Sequence, residues 1–173
     1  MNIKWSRPVE TRVNRLQKHF ETLAKSPNHN FTLETVTNDI INQLRNLDYY
    51  PLDMLMVLEK LGCMRKWGMR GPFSMEMCAM IEWWTPCSIE AAKADNRCVY
   101  NLSDPDLLNP SGLLFFAWDC DAKCYFYDIT VRPWKVLVCD GFSGGEALQV
   151  KPWEEDGAND FLTIIERWVA DSI

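Results

Sequence analysis

Three apolar, aromatic-rich runs follow one another between residues 113 and 139, and their spacing leaves this chain few ways to fold. Leu113-Leu114-Phe115-Phe116-Ala117-Trp118, Cys124-Tyr125-Phe126-Tyr127-Asp128-Ile129 and Trp134-Lys135-Val136-Leu137-Val138-Cys139 each have the length and residue types of a strand. Between the first two lies Asp119-Cys120-Asp121-Ala122-Lys123, with the length and polarity of a hairpin loop. The third ends in Asp140-Gly141, a strong turn dipeptide. Antiparallel strands in a meander are predicted.

Helical periodicity dominates the N-terminal third. Residues 8–25 place Val9, Val13, Leu16, Phe20 and Leu23 on one stripe with Arg12, Arg15 and Lys18 between them, and residues 26–30 carry the turn chemistry that stops the helix. A second helix is predicted with its start at Thr32-Leu33-Glu34-Thr35, which reads as an N-cap and an acidic first turn before the stripe Val36, Ile40, Ile41, Leu44 and Leu47. A third spans about 51–61, with Pro51 at its start and Gly62 just past its end. Residues 73–84 predict a strand, with a helix left open by their Met content, and residues 86–93 a short helix; Asp104-Pro105 and residues 109–112 are turn clusters. The chain closes on a helix over 160–169, with Phe161, Ile164, Ile165 and Trp168 on one face and Asn159 or Asp160 as its cap.

Helices, then an antiparallel sheet, then a closing helix packed on that sheet make an α+β fold. The expected organisation is a helical N-terminal extension over residues 1–49, packed on an α+β domain over 50–173, the whole being one globular unit. A chain of 173 residues with 47% hydrophobic content supplies one real core and no more. An exposed apolar stripe on the N-terminal helices would favour a homodimer.

Charge narrows the partners. The chain carries net −6, and residues 101–173 alone carry 13 acidic and 5 basic groups, net −8. That balance argues against nucleic-acid binding driven by phosphate neutralisation and favours a basic partner. No apolar run is long enough to span a membrane and the N-terminus lacks a secretory h-region, so the cytoplasm is the expected compartment. Reduced thiols follow from that compartment, and the seven cysteines read as small core hydrophobes. Met64, Met69, Met75, Met77 and Met80 read as core filling, with an adaptable contact surface as the other option.

The residue pattern of an enzyme is missing from the sequence. His19 and His29, the only histidines, lie in the N-terminal extension away from any triad pattern. Residues 141–145 resemble a phosphate loop only in their glycines, since no Lys follows. Cys120 and Cys124 have neither a second pair at zinc spacing nor a nearby His, and Asp119 with Asp121 is too few oxygens for a metal. No catalytic residue, metal or cofactor is expected.

A family resemblance joins these pieces. Residues 50–62, with Pro51 and Asp53 opening a helix that ends at Gly62, resemble the opening element of the SUKH superfamily. In the same order come residues 112–119, similar to its "leucine, phenylalanine, alanine, x, aspartate" strand, then an aromatic strand ending in Asp128, residues 136–141, and the Phe161-Leu162 start of a closing helix. The resemblance covers about residues 50–170 and departs from the family pattern over 63–110. It implies a non-enzymatic binding domain, most often an immunity protein of a bacterial toxin locus that neutralises a cognate toxin, frequently a nuclease. A yeast regulator of cell-wall synthesis belongs to the same superfamily, so the alternative is a regulatory scaffold with no toxin partner.

On that reading the expected partner-binding residues are Trp118, Asp119 and Asp121 in the hairpin, Tyr125 and Asp128 on the next strand, Asp140, and the run Trp153, Glu154, Glu155 and Asp156. Each also has an ordinary structural role open to it. Trp118 and Tyr125 are the kind of residue a core takes, Asp119 and Asp140 can bond their own turns, and residues 154–156 can be a solvated loop.

Overall fold

The structure, a computed structural model, describes residues 7–25, 31–47, 51–67, 81–88, 112–119, 123–132, 134–140, 151–152 and 160–171. Its elements are α1 (Arg7–Leu23), β1 (Phe31–Glu34), α2 (Asn38–Arg45), α3 (Leu52–Lys60), β2 (Cys63–Trp67), β3 (Ile81–Ser88), β4 (Leu113–Asp119), β5 (Lys123–Asp128), β6 (Lys135–Asp140), β7 (Lys151–Pro152) and α4 (Phe161–Asp171). The fold is α+β. Each strand pairs antiparallel with the next, so the seven described strands form one sheet in sequence order. The predicted meander is its centre, β4 to β6.

Three local expectations need correction. Residues 31–34 are strand β1, paired with β2, and the second helix begins later: Thr37 is its cap, its hydroxyl accepting from the Ile40 N–H at 3.5 Å. The N-terminal extension is therefore not wholly helical, and it contributes a strand to the sheet. Residues 86–88 belong to β3 instead of a helix. The pairing shifts between Trp83↔Ala117 and Cys87↔Phe115, so Trp84, Thr85 and Pro86 together stand opposite Phe116. An irregularity of this kind is where a sheet tolerates a proline, which has no N–H to give the ladder. β2 and β7 are further strands that no sequence signal announced. The predicted strand residues 73–80, helix residues 89–93, turn clusters at 104–105 and 109–111, and the loop at 141–145 lie outside the described residues, as do His29 and Met69, Met75, Met77 and Met80.

Helix stripes meet the sheet through a file of aromatic rings. Phe20 of α1 lies 5.9 Å from Trp83 of β3, Trp83 5.9 Å from Phe161 of α4, and Phe161 5.2 Å, edge-on, from Phe116 of β4. Phe116 stacks on Tyr127 at 4.2 Å. Phe116 is the extra residue where the β4–β5 register shifts, and the displacement brings its ring under α4. The stripe Val13, Leu16 and Phe20 is buried in this core, and Leu52 is the one large apolar side chain exposed among the described residues. Cys63, Cys87, Cys124 and Cys139 are buried too, with no disulfide joining them.

Gly62 closes α3 as the glycine just past the C-cap. At φ +82° its N–H reaches the carbonyls of Val57 and Leu58, each at 3.1 Å. A Cβ there would stand 2.0 Å from the Glu34 carbonyl oxygen of β1. Its own carbonyl accepts the Trp83 indole N–H at 2.9 Å. Gly62→Ala meets both left-handed strain and a backbone collision, so it should cost at least about 2–4 kcal/mol. Chemical denaturation of the variant beside the parent measures this directly.

Charged groups join three helices at the start of α4. Asp160 caps the helix, its Oδ1 accepting from the Thr163 N–H at 2.7 Å and the Thr163 hydroxyl at 2.8 Å. Arg12 of α1 donates to Glu166 at 2.7 and 3.0 Å, to the Thr163 hydroxyl at 2.7 Å and to Asp160 at 3.4 Å. The Glu166 bond is the main reason the guanidinium holds its proton more tightly than usual. Asp53 of α3 accepts from the Leu162 N–H at 3.2 Å. Although the residue keeps some exposure, its carboxyl group is desolvated at this junction, which, with the like charge of Asp160, raises its pKa above the ordinary carboxylate range.

The folded chain therefore protonates Asp53 more readily than the unfolded chain does. Through the window between the ordinary and the raised pKa, this residue's contribution to stability falls as pH rises. Asp53→Asn keeps an acceptor for Leu162 and removes the charge. Its melting temperature should exceed the parent's at pH 7, and the gap should close as pH falls through the carboxylate range in paired thermal melts.

Candidate functional site

Strand direction decides which predicted residues meet. β4 and β6 both end where β5 begins, so Trp118, Asp119, Lys123 and Asp140 gather at one end of the sheet. Pairing runs Trp118↔Cys124↔Cys139 in one row and Lys123↔Asp140 in the next. Asp119 and Asp140 are two strands apart, about 10 Å at the usual strand spacing. Asp121 falls in the intervening loop, outside the described residues, and so do Trp153, Glu154, Glu155 and Asp156.

Trp118 is half-buried, and its indole N–H donates to Glu82 Oε2 at 2.9 Å. Glu82 lies directly opposite it on β3 and is 9% exposed. Side chains directly opposite in a ladder share a face, so Glu82, Trp118, Cys124 and Cys139 form one row across four strands. The neighbouring row, Trp83, Ala117, Tyr125 and Val138, includes the Trp83 ring that packs on α1 and α4 and so faces the helices. The two rows lie on opposite faces of the sheet.

Two predicted residues are placed apart from this end. Tyr125 is 4% exposed, on the helix face near Phe116, so the core reading describes its position. Asp128 closes β5 at the opposite end of the strands, paired with Leu113 and Lys135. Its Oδ1 accepts from the Thr130 N–H at 3.0 Å and from the Thr130 hydroxyl at 2.5 Å, the self-bonded turn anticipated for Asp119 and Asp140. Positions 124 to 127 are buried on both faces of the sheet. The middle of β5 is therefore closed to a partner.

Glu82 escaped the sequence reading. Its signal was a carboxylate inside the apolar run Met80-Ile81-Glu82-Trp83-Trp84, a position a buried strand gives to a charge only with a partner. Lys123 went unnoticed for a different reason: only the β5–β6 register puts it beside Asp140. Elsewhere, His19 lies on α1, its Nε2 buried with no hydrogen-bond partner, and burial lowers its pKa. Among the described residues no three His, Cys, Asp or Glu side chains converge as a metal site would need. A shallow cleft of about 420 Å³ opens between the end of α1, β1 and the end of α3, floored by Phe20, Phe31, Leu33 and Leu61. It holds none of the predicted residues. Among the described residues, no helix is long and apolar enough to cross a membrane.

Compared with protein-family models, curated proteins and solved structures, the chain matches none.

The Trp118 bond to Glu82 has a testable weight. Trp118→Phe keeps the ring and deletes the donor to a charged acceptor, which should destabilise the fold by about 1.5–3 kcal/mol. Trp118→Phe with Glu82→Gln should recover part of that loss, and a double-mutant cycle in urea reads the coupling.

Proposed function

We propose that this chain is a non-catalytic immunity protein of the SUKH type, acting in the cytoplasm, that binds a basic protein toxin and blocks its active site or a surface beside it. The observation that carries the reading is the convergence of Asp119 and Asp140 at one end of the sheet, beside Trp118, in a half of the chain with net −8. An inhibitor of a nuclease gains association rate and specificity by offering carboxylates to the groove that holds phosphates. Trp118, one row inward at the same end of the sheet, adds a half-buried aromatic of the kind that interfaces favour as anchors. The order of elements agrees with the resemblance: a helix ended by Gly62, the central strands, and a helix begun at Phe161.

Affinity capture of the tagged chain from its native cells, followed by co-expression with the recovered partner, tests the reading. A partner that kills alone and is harmless beside this chain establishes immunity. Recovery of only harmless regulatory proteins, with no rescue, overturns it in favour of a scaffold. With the toxin in hand, Asp119→Lys combined with Asp140→Lys should slow association by about tenfold or more at low salt, with a smaller effect at high salt. Stopped-flow kinetics at two ionic strengths measure both.

A further inference from the structure

We propose that Cys124 and Cys139 are a disulfide-forming thiol pair, a modification site that closes reversibly across β5 and β6 when the chain meets a small-molecule disulfide. The two residues are direct partners in the ladder, flanked by Lys123↔Asp140 and Tyr125↔Val138 with no shift of register. Opposed residues of an antiparallel pair have Cα atoms about 4.5 or 5.5 Å apart, according to the type of pair. Both values lie within the roughly 4.4–6.8 Å that a disulfide spans, so either type admits the bridge. Their side chains leave the same face of the sheet. Among the four described cysteines, the ladder opposes only these two. Cys63 stands opposite Glu34 and Cys87 opposite Phe115.

Burial decides the state of the pair at rest. Cys124 is 1% and Cys139 3% exposed, and no disulfide joins them. Access comes from their place in the ladder: among the described residues, Lys123↔Asp140 is the one pair beyond them at that end of β5 and β6. On the other side of β6 the described pairing with β7 reaches only Leu137 and Val138. Strand ends open at lower free energy than ladder centres, so the pair reacts by local fraying.

The exchange balances with a glutathione-type disulfide as oxidant. The Cys124 thiolate attacks one sulfur of that disulfide, forming a mixed disulfide and releasing one small thiolate. The Cys139 thiolate then attacks the Cys124 sulfur, forming the protein S–S bond and expelling the second small thiolate. The two protein thiol protons pass to the two leaving thiolates. The protein is oxidised by two electrons and the small disulfide reduced by two. Excess small thiol runs the steps backwards.

Incubation of the folded full-length chain in a graded series of oxidised to reduced glutathione, with acid quench, alkylation and peptide mapping, tests the pair. The expected result is a Cys124–Cys139 linked peptide as the first disulfide to form, lost again on adding dithiothreitol. Its formation should raise the melting temperature by roughly 5–10 °C. Cys139→Ala should lose both the linked peptide and the gain. Should that variant fail to fold, the map of the parent chain still decides. The proposal is overturned if both thiols stay alkylatable under fully oxidising conditions, if either ends as a stable glutathione adduct, or if another pair bridges first. These outcomes stand apart from toxin binding, since they rest on the ladder alone.

Discussion

The indole of Trp83 donating to the Gly62 carbonyl is the contact through which the helical layer and the sheet hold one another in place. Gly62 ends α3, passes within van der Waals reach of the β1 backbone, and turns its carbonyl to β3. Trp83 uses its N–H on that carbonyl and its ring on Phe20 and Phe161, so one fully buried side chain touches α1, α4 and the end of α3. Removing such a ring from a core costs about 3–5 kcal/mol, comparable to a large share of a domain's net stability. The charged junction of Arg12, Asp160, Glu166 and Thr163 fixes the angle between α1 and α4 but adds less, because partly exposed ion pairs are weak.

Given that frame, the sheet's two register shifts do the positioning. Three residues of β3 face one of β4, and Phe116 is extra against β5. The shifts send Phe116 to the helices and leave Trp118, together with Glu82 and the two cysteines, on the opposite face. A uniform ladder would have alternated these residues differently. The place of Trp118 in the row of the thiol pair thus follows from where the ladder slips, whereas the unshifted β5–β6 pairing sets Cys124 opposite Cys139.

Legibility followed locality. The β4–β6 meander and the closing helix were readable because their patterns are long and their connections short. The end of α3 was readable because a glycine in that place has few other uses. β1 runs against its local signal because Thr32, Thr35 and Glu34 are good capping residues, and only pairing with β2, some thirty positions away, outweighs that preference. Pro86 argued for a helix start until the β3 irregularity offered it a place without a missing hydrogen bond. In the candidate site, Asp119, Asp140 and Trp118 carried their signal in composition and neighbours. Glu82 and Lys123 gained meaning only from the strands beside them, and Tyr125 is core because β5 is covered on both faces.

By itself the sequence determined the α+β class, the antiparallel order of the central strands, the stop at Gly62 and the concentration of negative charge in the C-terminal half. All of these follow from local periodicity, backbone preference and simple counting. Tertiary structure alone decided which acidic positions share a sheet end, which aromatic rings are core, and that Cys124 faces Cys139. Those are matters of register, and one residue of slip exchanges the faces of a strand without changing anything in its sequence.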